Sequence, residues 1–159
     1  GEWIKFVLYK MLYIGMYILI PYYLTGMELK WVVIGFVLMH FILSLFLLFT
    51  FLISHYVEGI VFTNPGDDGA LNNSWARHQI NVSVDFHAER LWAGCIFGGF
   101  NAHVAHHLFP NVCHVHYPRI TRIIRKKLKK YDVTYREVSY PGGIASHLRF
   151  IKKMGSGKF

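Results

Sequence analysis

The pattern of apolar and polar positions divides the chain about a third of the way along. Residues 6–24, FVLYKMLYIGMYILIPYYL, are apolar apart from Lys10. After the polar link TGMELK, residues 31–54, WVVIGFVLMHFILSLFLLFTFLIS, run for 24 positions without a formal charge. Each stretch is long enough for a helix to cross the ~30 Å hydrocarbon layer of a bilayer. Trp3 and the Tyr22–Tyr23 pair stand where aromatic side chains with a polar tip settle at membrane interfaces, and Lys10 can reach the nearer interface along its aliphatic stem. The first stretch lacks the small-residue cleavage site of a secretory leader and ends in tyrosines instead. The two stretches predict a hairpin of transmembrane helices.

Beyond residue 54 the pattern changes. Residues 64–73, NPGDDGALNN, carry the turn residues of a loop. Residues 75–100 alternate polar and apolar positions and read in part as interfacial helix. Residues 101–109 predict a short helix stopped by Pro110, and residues 120–131, ITRIIRKKLKKY, place Ile120, Ile123, Ile124 and Leu128 on one face among Arg and Lys, a basic amphipathic helix. The expected architecture is an all-α membrane protein: two transmembrane helices as a hairpin, and a cytoplasmic cap of interfacial and amphipathic helices over residues 55–159.

Composition supports that division. With 53% hydrophobic and only 16% charged residues in a chain of 159, a disordered chain is excluded. The net charge of +8 is unevenly placed: residues 1–118 hold 5 basic and 7 acidic side chains, residues 119–159 hold 12 and 2. The positive-inside rule therefore puts the C-terminus in the cytoplasm, and two crossings put the N-terminus there too, as in a multi-pass integral membrane protein. Beside two membrane helices the run RKKLKK suits anionic lipid or an acidic protein partner, not nucleic acid. Gly94, Gly98 and Gly99 do not follow a strand in a GxGxxG frame, so they predict close helix packing instead of a nucleotide loop.

Candidate chemistry lies in ten histidines, since Cys95 and Cys113 have no CxxC spacing. His103, His106 and His107 fall at i, i+3 and i+4, so on a helix their imidazoles share one face and can converge on a metal. Neutral imidazoles suit Zn, Cu, Fe or Ni, and the spacing does not choose among them; a histidine-rich surface patch is the bland alternative. His55 stands where the second apolar stretch leaves the hydrocarbon, a position equally compatible with a functional site and with an interfacial ring bonded to backbone. His78, in WARHQ, is a further candidate for the same site. His40, mid-membrane, predicts a hydrogen bond to a neighbouring helix. His114 and His116 are candidate donors to the ligands, and His147 reads as a solvated surface residue.

The segment GGFNAHVAHHLFPNVCHVHYPRI, with the upstream SHYVEG, the segment from Trp75 through HQINVSVDF and the final SHLRFIKKMG, resembles the integral-membrane fatty acid desaturases, in particular the linoleoyl-CoA-desaturase-like and front-end group. The resemblance implies three histidine boxes around a non-haem di-iron centre, the third being HxxHH at His103, His106 and His107, with His55 and His78 as further ligands. Front-end members carry Gln at the first position of that box, where this chain has His103. No pair matching the first two boxes occurs in residues 1–102, so the resemblance implies the C-terminal half of a longer enzyme, inactive alone, whose missing N-terminal half carries them. It further implies O2-dependent introduction of a cis double bond into an acyl-CoA or acyl-lipid, two iron ions as cofactor, and electrons from a separate donor such as cytochrome b5 or ferredoxin. Asn101, Asp85 and Glu58 are the expected hydrogen-bond partners of the ligand imidazoles. The rival readings are a related hydroxylase or ketolase, and a non-catalytic membrane protein with structural zinc.

Overall fold

The computed structural model describes residues 1–62, 64–67, 69–71, 73–131 and 133–157; Asp68 and Asn72 of the expected loop at 64–73 lie outside the described residues. The chain divides into two compact units, Gly1–Leu47 and Leu48–Phe159.

Helix α1 spans Glu2–Thr25 and α2 spans Leu29–Leu52, 24 residues each, or about 36 Å of rise. Both are long and apolar enough to cross a membrane, and only 0% and 6% of their most apolar windows are buried. A core helix of a water-soluble domain would hide such a surface, so these two are built for an apolar surrounding. Gly26, at φ 66°, ends α1 in the left-handed conformation that glycine adopts without strain. Helix α2 starts and stops two residues earlier than the apolar run, because residues 53–56 turn: the Ser54 and His55 amides donate to the Phe51 and Leu52 carbonyls. Within the first unit the Tyr13 hydroxyl donates to His40 Nε2 at 2.8 Å, and His40 Nδ1 donates to the Phe36 carbonyl at 2.8 Å. His40 is thus bonded to the neighbouring helix, as its mid-membrane position predicts.

The second unit contains α3 (Trp75–Asn81), β1 (Asp85–Phe86), α4 (Leu91–Phe97), α5 (His103–Leu108), a 3-10 turn at His114–His116, α6 (Tyr117–Leu128), β2 (Glu137–Val138) and α7 (Tyr140–Gly155). The all-α expectation is corrected in one respect: β1 and β2 form a parallel pair, Asp85 opposite Glu137 and Phe86 opposite Val138. Its sequence source is the alternation Val82-Ser83-Val84-Asp85-Phe86, a period-2 signal inside the stretch read as partly helical.

That extended segment is the hub of the unit. Ser83, Val84, Asp85 and Phe86 are all buried. The Val84 amide donates to Ser54, the Asp85 amide to Arg136 and the Phe86 amide to Asn101. One short strand therefore holds the exit of α2, the approach to α5 and the approach to α7.

Helix α6 is amphipathic as expected but starts at Tyr117, and its apolar face is not interfacial. Tyr117, Ile124 and Leu128 join Ile80, Ala88, Ala102, Val104 and Ala105 in the core. The close packing expected at the glycines is present at Gly99 and not at Gly94 or Gly98. Gly98 and Gly99, at φ 60° and 85°, form a left-handed turn after α4, and a Cβ on Gly99 would lie 2.3 Å from the Cβ of His114. His147 is buried, not solvated: on α7, it donates from Nδ1 to the Tyr56 carbonyl at 2.7 Å.

Candidate metal centre

Six residues make a helix too short to persist by propensity alone, so α5 depends on what holds its ends. The Gly98–Gly99 turn redirects the chain into it. At its start the buried Asp85 Oδ1 accepts from the Val104 amide at 2.8 Å, satisfying a donor that has no intrahelical partner. Asp85 is fixed in turn by the Tyr135 hydroxyl, which donates to its other oxygen. Burial raises the Asp85 carboxyl from its ordinary 3.8 to about 7, against the opposing pull of the bonds from Tyr135 and Val104.

On α5, His103 and His107 lie one turn apart, and His55 reaches them from the turn after α2. The three Nε2 atoms face one another: His103 to His55 at 2.7 Å, His103 to His107 at 3.0 Å, His107 to His55 at 3.4 Å. An ion bonded to imidazole nitrogens at ~2.1 Å would set its ligand atoms about 3.0–3.4 Å apart, depending on coordination angle. Two edges of the triangle have that size, and the His103–His55 edge at 2.7 Å is shorter. His55 Nδ1 donates to the Val82 carbonyl at 3.0 Å; a carbonyl can only accept, so the lone pair of neutral His55 is on Nε2, aimed at the other two rings.

Electrostatics keep His103 and His107 uncharged. Burial, then the neighbouring rings of His55, His107 and His106, push His103 down from 6.5 to about 3, and burial followed by His55 and His106 lowers His107. Neutral imidazole is the ligating form, so these rings offer lone pairs at neutral pH without first losing a proton. His103 is 5% exposed; its Nε2 faces the other two rings, and its Nδ1 closes no hydrogen bond among the described residues.

The structure brings together three of the five histidines singled out in the sequence. His55, His103 and His107 form a group whose ligand atoms lie within 4.8 Å of one another. His106 shares the helix but its ring turns toward Phe100, 5.4 Å between centroids, and Tyr117, whose hydroxyl lies 3.5 Å from Nδ1. His78, on α3, stays outside the group; it is half-buried, with an Nδ1 that lacks a partner. His114 packs on Gly99.

The expected partners of the imidazoles act elsewhere. Asp85 caps α5, and Asn101 donates from Nδ2 to the His87 carbonyl at 3.3 Å. Glu58 pairs with Arg149 and Lys153 on α7, which hold its carboxyl below the usual range. What sequence reasoning missed is Tyr135 and the Val82 carbonyl. The VSVDF alternation signals the strand that follows the second, which itself caps the end of α3; nothing local marks the first.

A family model described as fatty acid desaturase matches residues 2–139. The acyl-lipid (8-3)-desaturase of Physcomitrium patens is 37% identical over 110 residues, 67% of this chain and 22% of that protein. The sn-1 linoleoyl-lipid 6-desaturase of Synechocystis sp. is 32% identical over 148 residues, 92% of this chain and 41% of that protein. The acyl-lipid (8-3)-desaturase of Mortierella alpina is 35% identical over 104 residues, 64% of this chain and 23% of that protein. The chain thus spans between 22% and 41% of the length of these relatives. No solved structure matches it. A family match over residues 2–139, carried by a chain whose folded structure gathers three of its histidines into one ligand group, means that the protein belongs to the fatty acid desaturase family.

Proposed function

We propose that this chain supplies part of the metal centre and membrane anchor of an enzyme that introduces a cis double bond into the acyl chain of a lipid or acyl-CoA. The observation that carries the reading is the triangle of Nε2 atoms from His55, His103 and His107. These three hold one iron. His106, one face over, and His78, with its unpartnered buried Nδ1, serve the second iron together with ligands outside residues 1–159; the short share of the relatives' length supports this. Bound non-haem iron supplies the oxidising power to remove two hydrogens from adjacent methylenes, O2 being reduced to two waters by those two electrons and two more from an external donor.

The chain's own residues do the rest. His55 is held in one tautomer by Val82, His103 is kept dry and neutral by burial, and Asp85 fixes the helix that presents His103 and His107. Helices α1 and α2 cross the bilayer as a hairpin and admit the acyl chain, while residues 55–159 cap them on the cytoplasmic side. Arg119, Arg122, Lys126 and Lys129 of the basic tail face an acidic headgroup, a CoA phosphate, or an acidic donor such as cytochrome b5 or ferredoxin.

Two measurements test this reading. In anaerobic iron(II) titrations of the purified chain, His55→Ala, His103→Ala and His107→Ala should each weaken binding at least about tenfold, while His106→Ala and His78→Ala should leave it within about twofold. Equal losses across all five would remove the triangle as the primary site, and one tightly held zinc with no iron would favour a structural role. Mass spectrometry of lipids from cells expressing the full-length gene should show new unsaturation; hydroxylated chains instead would favour a hydroxylase.

A further inference from the structure

The sequence marks α6 as the basic amphipathic helix, but the structure turns Tyr117, Ile124 and Leu128 of α6 into the core and leaves an apolar face uncovered on another helix. Helix α7 buries Gly143, Ser146 and His147. It is bound along that side to the end of α2 and the turn beyond it. His147 donates to the Tyr56 carbonyl, the Glu58 amide donates to Ser146 Oγ at 3.0 Å, and Arg149 and Lys153 pair with Glu58. Gly143 sits so close to Ile53 that an added Cβ would meet its side chain at 3.1 Å.

The flank of α7 next to that bound side is apolar and largely open. Leu148 and Ile151, three apart and 57% and 51% exposed, form a stripe with Ile144, and Lys152 stands exposed along its edge. An apolar stripe edged by lysine is the pattern of a helix lying in the headgroup region, with its apolar side toward acyl chains and its cations toward lipid phosphate.

We infer that α7, not α6, is the membrane-surface helix of this protein, its Leu148–Ile151 stripe sunk in the lipid interface beside the point where α2 leaves the hydrocarbon. This rests on the reading that α2 spans the bilayer. Three features select lipid as the occupant: the tether to the end of an exposed apolar helix, the matching apolar character of the stripe, and the positive edge that complements an anionic leaflet.

The test uses the whole chain in phosphatidylcholine–phosphatidylglycerol vesicles, with Cys95→Ser and Cys113→Ser removing the two exposed native thiols. A polarity-sensitive fluorophore is placed singly at Leu148→Cys, Ile151→Cys, Ile123→Cys and Phe41→Cys. Ile123 is the matched control, 55% exposed on α6, and Phe41 reports the span of α2. Labels at 148 and 151 should be quenched by headgroup-region spin-labelled lipid at least about threefold more than the label at 123, more strongly as the phosphatidylglycerol fraction rises. Quenching at 41 by lipid spin-labelled deep in its acyl chain, with 148 and 151 no better quenched by the headgroup label than 123, overturns the inference and leaves the span standing. No lipid quenching at any site overturns both. Labels at 148 and 151 shielded from aqueous iodide but untouched by lipid quencher would mean that protein, such as a second copy, covers the stripe, which also overturns it.

Discussion

His103 and Asp85 are both fully withdrawn from water, yet burial moves their protonation in opposite senses for the same reason: each is pushed toward its neutral form. For His103 the folded value falls below 6.5, so its contribution to stability is present above that pH and is lost on acidification toward about 3. For Asp85 the folded value rises above 3.8, so its contribution is present below that pH and is lost as the pH climbs through about 7. Replacing Asp85 with Asn keeps an acceptor for the Val104 amide and removes the titration. The difference in thermal stability between Asp85→Asn and the parent, measured without metal, should shift in favour of the variant by on the order of 2 kcal/mol between pH 5 and pH 8. A difference that is flat or moves the other way would show that Asp85 is ionised throughout. At this scale the sequence made the box histidines plain, because i and i+4 spacing needs no tertiary knowledge. It did not separate His106 from its neighbours, since that depends on where His55, 51 positions away, comes to rest.

Elements show why short pieces can carry a precise site. Helix α5 has six residues, and its position comes from Asp85 at its start, the core packing of Val104 and Ala105, and the left-handed turn at Gly98 and Gly99. Gly99→Ala meets both a disfavoured backbone conformation and the His114 Cβ. It should cost at least about 2 kcal/mol, lowering the melting temperature and weakening metal binding together. Gly94→Ala, within α4 and with open space where its Cβ would go, should change stability by well under half of that; near-equal effects would contradict the packing seen at Gly99. The long elements were legible because α1 and α2 are apolar over whole spans, and α6 because its charge pattern has helical period. The two-residue strands were harder to see: their alternation is visible in VSVDF, but their partner, Glu137–Val138, is 52 residues away. Helix α7 went unread because Ser139 and Pro141, a good helix start, precede glycines at 142 and 143 that argue against one.

For the molecule as a whole, the apolar front and basic tail seen in the composition correspond to real parts: two uncovered apolar helices, and a compact unit with its own core. The ligand count belongs to this scale too. Among the described residues one imidazole triangle is present, and the di-iron centre proposed above needs two sets, so the purified chain, loaded with iron and given O2 and a reduced donor, should yield no unsaturated product above background by mass spectrometry. Turnover by the isolated chain would show that residues 1–159 hold a complete centre.

The bond between Tyr135 and Asp85, with the β1–β2 pairing beside it, also sets an order of events. A ribosome releases this chain from its front, so His55, His103 and His107 all emerge before Tyr135, Glu137 and Val138 exist to steady the segment that aligns them. The nascent chain therefore carries every residue of the triangle for some thirty positions of further synthesis without the clasp that sets their spacing. A chain stopped at residue 130 would therefore have all three ligands without the clasp that steadies the segment aligning them.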